Sequence, residues 1–374
     1  MLPLGGTARS AQGASMSLHF HPLRVKSVVP DTDEAVIVSF DVPEALAQEF
    51  RFTQGQHLTL RETLSGAEER RSYSICAGVD DGELRVGVRK VPGGRFSTWV
   101  NETLQSGHTV QVMAPEGRFF VPLDPGASRH YLGIAGGSGI TPILSIMKTV
   151  LAREPLSTFT LIYGNRRQKS TMFKEEIEDL KNRYLTRLSL HMVFSREQMD
   201  SSLSSGRLSR EKIGEFFAGL IDPQGISHAF VCGPFGVNDE AEAALLAAGI
   251  PAERIHIERF GIPLPEGGAA LKQQPREGDA AQARVVIVRD GLSREIDFRS
   301  EHSSILDAAA AAGLEVPFSC KSGVCCTCRA KLLEGQVRME RNFALEKHEV
   351  AAGFILTCQA HPLTERVVLS FDER

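Results

Sequence analysis

Ten consecutive positions, residues 319 to 328, read SCKSGVCCTC and hold four of the chain's seven cysteines. Thiols crowded like this serve a metal or redox centre, because a disulfide framework spreads its cysteines and uses an even number of them. Cys320, Cys325 and Cys328 keep the spacing C-x4-C-x2-C, and Cys358, in FILTCQAHP, supplies a fourth thiol 30 residues later. That spacing suits a 2Fe-2S cluster. The backbone must then wrap the cluster closely, which Gly323 and the small Ser322 permit. Cys326 falls outside the pattern and is expected to be a bystander. A structural zinc, which favours paired C-x2-C knuckles, and a plain reactive-thiol loop are the rival uses of the same residues.

The elements that must position these thiols come from a chain of 374 residues, long enough for two or three cores, and three is the expectation. With 42% hydrophobic and 24% charged residues and a net charge of -4, no basic excess points to nucleic acid or to a membrane surface. No apolar run nears the roughly 18 residues that span a bilayer, and MLPLGGTARSAQGASM lacks a signal-peptide core, so the expected location is cytoplasmic. Residues 1 to 17 read as a disordered leader. From 18 to 125, short alternating runs such as AVIVSFDV and ELRVGVRKV, broken by Pro, Gly and Asp, predict an antiparallel β-barrel or sandwich. From 126 to 262, buried strands alternate with helical stretches, the α/β pattern of a parallel sheet. Residues 263 to 283 are Pro, Gly and polar and read as a linker. The last segment, 284 to 374, opens with a hairpin turning at Asp290-Gly291 and a short Ala-rich helix that stops at Gly313, just ahead of the cysteine loop.

A cluster that carries one electron needs a source of single electrons, whereas the common cellular reductant delivers hydride pairs, so a flavin converter is expected in the same chain. In the barrel region RSYS resembles an FAD motif of the ferredoxin-NADP reductase family, which implies Arg71 for a pyrophosphate, Tyr73 for stacking on a flavin ring and Ser74 for a hydrogen bond near the hydride-accepting position. GGRFS follows, with Gly93 and Gly94 freeing backbone N–H groups where a helix begins. Farther on, HYLGIAGGSGITPILSIM is a strand, a glycine turn and a helix, with Thr141 as expected N-cap and Pro142 at the first helical position. It departs from G-x-G-x-x-G in having Pro142 as its last member. At the ends of the next two strands, YGNRR and FSRE place Arg166, Ser195 and Arg196 where a 2′-phosphate would be held, which favours NADPH, with NADH as the alternative. His57, His191 and His256 lie in strand-like runs and are expected to be core or rim residues.

Both barrel motifs resemble the FAD motifs of the ferredoxin-NADP reductase family, and the last 90 or so residues resemble plant-type ferredoxins with a β-grasp fold. The resemblance covers residues 18 to 374. It implies FAD held by Arg71, Tyr73, Ser74, Val88, Arg89, Gly94, Arg95, Phe96 and Ser97. It further implies NADP(H) held by Gly137, Ser138, Gly139, Thr141, Asn165, Arg166, Ser195 and Arg196 and by VCGP, where Cys232, Gly233 and Pro234 lie beside the nicotinamide. Tyr73, Ser74, Cys232, Glu258 and Phe260 are the positions it places at the hydride step, and Cys320, Cys325, Cys328 and Cys358 are the cluster ligands. The domain order resembles the reductase components of bacterial oxygenases. IHIERF and AAGFILTCQAHPLT, among other segments, are most similar to reductase subunits of phenylacetyl-CoA epoxidase systems, which implies a diiron oxygenase as electron acceptor. A ring-hydroxylating dioxygenase, a steroid hydroxylase or a hybrid-cluster protein stands as the alternative acceptor. A non-enzymatic zinc or redox-sensor module is the alternative to electron transfer itself.

Overall fold

A computed structural model describes residues 19–261 and 276–373 of the chain. The expected leader and most of the expected linker lie outside the described residues. The first unit contains β1 (Phe20–Thr32), β2 (Ala35–Asp41), β3 (His57–Leu64), β4 (Ala67–Ser74), β5 (Leu84–Arg89), α1 (Arg95–Glu102) and β6 (Thr109–Met113). Its sheet runs β4-β3-β6-β1-β2-β5, every pairing antiparallel, and an isolated bridge from Ile75 to Val86 joins the two outer strands. Closure turns the sheet into a barrel, and alternate residues such as Leu23, Val25, Leu58, Leu60, Val86 and Val88 fill it.

In the second unit follow β7 (His130–Gly136), α2 (Ile140–Arg153), β8 (Thr158–Asn165), α3 (Lys174–Arg183), β9 (Leu188–Phe194), α4 (Arg210–Gly219), β10 (Ile226–Gly233), α5 (Phe235–Ala247) and β11 (Ile255–Arg259). The sheet is parallel throughout, in the order β11-β10-β7-β8-β9. Strand order reverses between β7 and β10, and the crevice at such a switch point is where doubly wound sheets bind ligands. α2 is apolar on nearly every side because it is covered twice, by the sheet and by the barrel. Ala35, Cys76, Phe119 and Val121 of the barrel share one core with Tyr131, Ile143, Met147 and Phe173.

The third unit comprises β12 (Gln282–Arg289), β13 (Leu292–Arg299), α6 (Ile305–Ala311), β14 (Arg329–Glu334), β15 (Val337–Met339), α7 (Lys347–Ala351), β16 (Phe354–Leu356), β17 (Ala360–Pro362) and β18 (Arg366–Ser370). Asp290 and Gly291 both take positive φ, 52° and 71°, as a tight two-residue hairpin requires. Their N–H groups donate to the Asp372 carboxylate at 2.7 and 2.9 Å. Ser304 caps α6 by accepting the Asp307 N–H. The final residues of the stretch read as linker lie on this unit: Asp279 is paired with Arg338 at 2.5 Å, and β12 opens at Gln282. The core of this unit is drawn entirely from residues 280 to 371.

Candidate functional site

The ends of β7 and β10 meet at the switch point through bare backbone. A Cβ on Gly139 would lie 2.0 Å from the Cys232 carbonyl oxygen, and one on Gly136 would lie 2.8 Å from the Pro234 ring. Glycine is therefore required at 139 by the neighbouring strand end, whatever approaches from outside. Gly137 takes φ +53°, and Ser138 lies with it in the short turn before the helix. The helix starts two residues earlier than the sequence suggests: Gly139 is the N-cap, and Thr141 sits inside the first turn with its hydroxyl donating to the Ser138 carbonyl at 3.0 Å. Thr141 is therefore not the cap, because its oxygen is turned back on the glycine turn instead of accepting a free N–H.

Across this turn, the parallel register sets Cys232 beside Glu258. Ser74, at the end of β4, donates from Oγ to Glu258 Oε2 at 3.0 Å and so ties the barrel to the nucleotide sheet. Burial raises the Glu258 carboxyl to about 7, against the pull of the Ser74 hydrogen bond. Burial, with Glu258 as second cause, also raises the Cys232 thiol, which stays neutral. Tyr73 is largely enclosed, its phenol raised by burial, with its ring 6.0 Å from that of Phe96. Asn238 on α5, missed in the sequence, donates to the Glu258 carbonyl at 3.1 Å and leaves a buried Oδ1 unsatisfied. Phe260 follows β11 and is 45% exposed.

Arg71 and Arg95 converge on one carboxylate, Glu69, each at 3.1 Å. Two cations on one anion leave net positive charge at the N-terminus of α1, where Gly94 is the cap and Gly93 has open space on its Cβ side. These residues fit a pyrophosphate. Phe96 and Val88 contribute side chains to the barrel core, and Ser97 accepts the Val91 N–H and donates to the Gly94 carbonyl, which holds the turn. Arg89 is paired with Glu34 at 3.0 Å. At the far strand ends, backbone hydrogen bonds from Ser195 to Asn165 and from Arg196 to Arg166, both 2.9 Å, bring the four polar residues together. Arg166, Ser195 and Arg196 are exposed, and the buried Asn165 Nδ2 has no hydrogen-bond acceptor among the described residues, which suits a polar ligand. Burial holds His57 neutral, down at about 4, and lowers His191 and His256. His57 lies opposite Ser74 in the β3–β4 register, His256 contacts His228 at 3.3 Å, and the His191 ring lies 5.2 Å from that of Phe216.

Between α6 and β14 the cysteine loop folds back on itself at Lys321, Gly323 and Cys326, all with positive φ. No three Cys, His or carboxylate side chains among the described residues close on a single ion. The thiols instead fall into two neighbouring pairs, Cys320 with Cys325 and Cys328 with Cys358. Two pairs fit two irons, each needing two thiolates beside the bridging sulfides. The Ser322 N–H donates to Cys320 Sγ at 3.3 Å, and the buried Gln359 amide reaches Cys358 Sγ at 3.5 Å and the Lys321 carbonyl at 2.9 Å. Gln359 carries no sequence signal beyond its place next to a cysteine. Cys326 points elsewhere, donating to the Ala344 carbonyl at 3.2 Å.

Comparison with known proteins follows the same three units. Residues 22–121 match the oxidoreductase FAD-binding domain family, 134–242 the oxidoreductase NAD-binding domain family and 287–363 the 2Fe-2S iron-sulfur cluster binding domain family. The chain is 45% identical to a 1,2-phenylacetyl-CoA epoxidase subunit from Escherichia coli (strain K12), over 95% of this chain and 98% of that one. It is 35% identical to the ferredoxin reductase component of a 3-ketosteroid-9-alpha-monooxygenase from Mycobacterium tuberculosis, over 95% and 97%. Among solved structures, phthalate dioxygenase reductase, described as a modular structure for electron transfer from pyridine nucleotides to [2Fe-2S], shares the fold. The TM-score is 0.57 at 24% identity, covering 94% of this chain and 98% of that one.

Proposed function

The chain belongs to the family of oxygenase reductases that join an FAD-binding barrel, a pyridine-nucleotide domain and a 2Fe-2S domain, and from that premise we propose that it carries electrons from NADPH to the diiron oxygenase of a phenylacetyl-CoA epoxidase system. The observation that carries the choice of acceptor is the 45% identity, which runs through all three domains and 98% of the relative's length. NADPH over NADH rests on Arg166 and Arg196, exposed and adjacent at the ends of β8 and β9. No helix among the described residues is long and apolar enough to cross a membrane. A cytoplasmic location belongs to the same proposal, because NADPH is an intracellular reductant.

When bound, FAD would accept one hydride with its two electrons and the cluster would carry electrons singly, chemistry that no side chain supplies. The residues bind, orient and shield. Arg71 and Arg95 neutralise the FAD pyrophosphate beside the α1 N-terminus, and Tyr73 packs against the ring system. Gly139 and Gly233 let the strand ends close so that the neutral Cys232 and Pro234 border the nicotinamide. Ser74 Oγ donates to Glu258 Oε2, and the Glu258 carboxyl, near 7, takes up or releases its own proton readily at neutral pH. Phe260 covers the outer side of the crevice. Cys320, Cys325, Cys328 and Cys358 hold the cluster.

The experiment is a reconstitution of the purified protein with candidate oxygenase components, following NADPH consumption and product. Epoxide formed from phenylacetyl-CoA with the epoxidase oxygenase alone is the expected result. Turnover only with a 3-ketosteroid hydroxylase would favour the acceptor class of the 35% relative and refute the proposal.

A further inference from the structure

One strand serves two junctions. Alternation along β4 sends Arg70, Ser72 and Ser74 to one face. Ser74 meets Glu258 of the nucleotide unit, whereas Ser72 and Arg70 meet the cluster unit. Ser319, 6% exposed and directly before Cys320, lies with its Oγ 2.7 Å from Ser72 Oγ. Two positions back, the Arg70 guanidinium, also largely buried, lies 4.1 Å from the centre of the Phe318 ring and donates to Glu315 at 3.4 Å. A buried arginine stacked on a ring and paired with a carboxylate from another domain fixes that domain's orientation as well as its proximity. Beside the contact opens a cleft of about 300 Å³ bordered by Arg71 on the flavin side and Cys320 on the cluster side.

We infer that the Ser72–Ser319 hydrogen bond is the contact through which electrons cross from the flavin domain to the cluster, entering at Cys320, and that Arg70 positions it by clamping Phe318. This rests on the reading of Tyr73 as a flavin contact and Cys320 as a cluster ligand. Each crossing moves one electron from reduced flavin to oxidised cluster. Two crossings, with the acceptor emptying the cluster between them, return the flavin to its oxidised form, its protons pass to water, and no covalent bond forms or breaks in the protein.

Rapid mixing of the reconstituted holoprotein with NADPH, read separately at flavin and cluster bands, tests the assignment. Ser319→Ala slows cluster reduction about fivefold, the scale of one lost hydrogen bond, while flavin reduction and the cluster's electron paramagnetic resonance signature stay as in the wild type. Ser319→Thr restores the rate. Arg70→Ala slows cluster reduction about tenfold, the scale of a lost stacked and paired arginine, and raises hydrogen exchange in the oxidised protein over residues 316–320 while β10 stays protected. Wild-type cluster reduction in Ser319→Ala and Arg70→Ala overturns the inference, as does a slowing shared equally by flavin reduction. A wild-type flavin that NADPH never bleaches would remove the underlying reading of the flavin site, and the inference with it.

Discussion

The barrel meets its two neighbours through seams of opposite character. Toward the nucleotide unit the contact is a continuous apolar core, rimmed by ion pairs such as Arg153 with Asp80 and Glu176 with Arg85: Phe119 stacks edge-on against Phe230 at 5.3 Å, and Ser145 on α2 donates to the Ala77 carbonyl at 2.7 Å. Toward the cluster unit the two cores stay separate, and the contact is made of charges and hydroxyls: Arg70 with Glu315, Arg118 with Glu349, Ser72 with Ser319. The nucleotide unit adds an aromatic touch, Phe235 against Phe343 at 5.5 Å with Arg259 beside them. Apolar burial is insensitive to salt and costly to undo, whereas partly exposed ion pairs contribute little each and weaken as ionic strength rises. Hydride transfer needs two domains held in fixed register, so that two rings can meet face to face. Delivery to a separate acceptor needs a module that can let go.

The comparison is broken most completely at the cluster. Cys325→Ser is expected to abolish the cluster's visible bands while flavin reduction by NADPH survives, because the barrel and nucleotide sheet share a core without it; Cys326→Ser leaves the bands intact. Equal loss in both variants would refute the ligand assignment. Gly139→Ala attacks the other seam. With a methyl group forced onto the Cys232 carbonyl, the flavin–nucleotide unit loses about 3 kcal/mol in urea unfolding and the KM for NADPH rises, with the cluster spectrum unchanged.

Glu258 gives the apolar seam a pH signature. Its carboxyl goes from 4.5 in the unfolded chain to about 7 in the folded one, so between these values only the folded protein keeps the proton. The stability this group contributes is complete below about pH 4.5 and is lost as pH rises through 7. Glu258→Gln should remove that slope and leave the variant about 3 kcal/mol more stable than the wild type at pH 8, measured by urea midpoints. A parallel slope in both proteins would contradict the burial argument. The smallest effect belongs to the charged seam: Arg118→Ala costs about 1 kcal/mol or less in global unfolding, since its guanidinium is half exposed and Glu349 retains Arg329 at 3.1 Å.

What the sequence made legible were features whose reason is local. The cysteine spacing, the Asp290-Gly291 turn and the alternation of the barrel strands depend on near neighbours, and so does the glycine run that ends β7. The reason for Gly139 was not legible, because the atom that forbids a side chain there belongs to Cys232, on another strand. Thr141 and Pro142 looked like a helix start, and the turn at Gly137 moved that start forward by recruiting the Thr141 hydroxyl. In the charged run FKEEIEDLKNR, Glu176 pairs with Lys148 at 2.6 Å and with Arg85 of the barrel, partners that nothing in the run itself marks. The cluster seam left no trace, since Ser72 and Ser319 are ordinary residues 247 positions apart and nothing local marks either.

Salt separates the two seams most directly. At saturating NADPH, flavin reduction should hold its rate from low ionic strength to 1 M salt, while subsequent cluster reduction falls about tenfold or more as the Debye length shrinks to roughly 3 Å. Two steps that slow together, or a cluster step indifferent to salt, would contradict the division between a fixed junction and a releasable one.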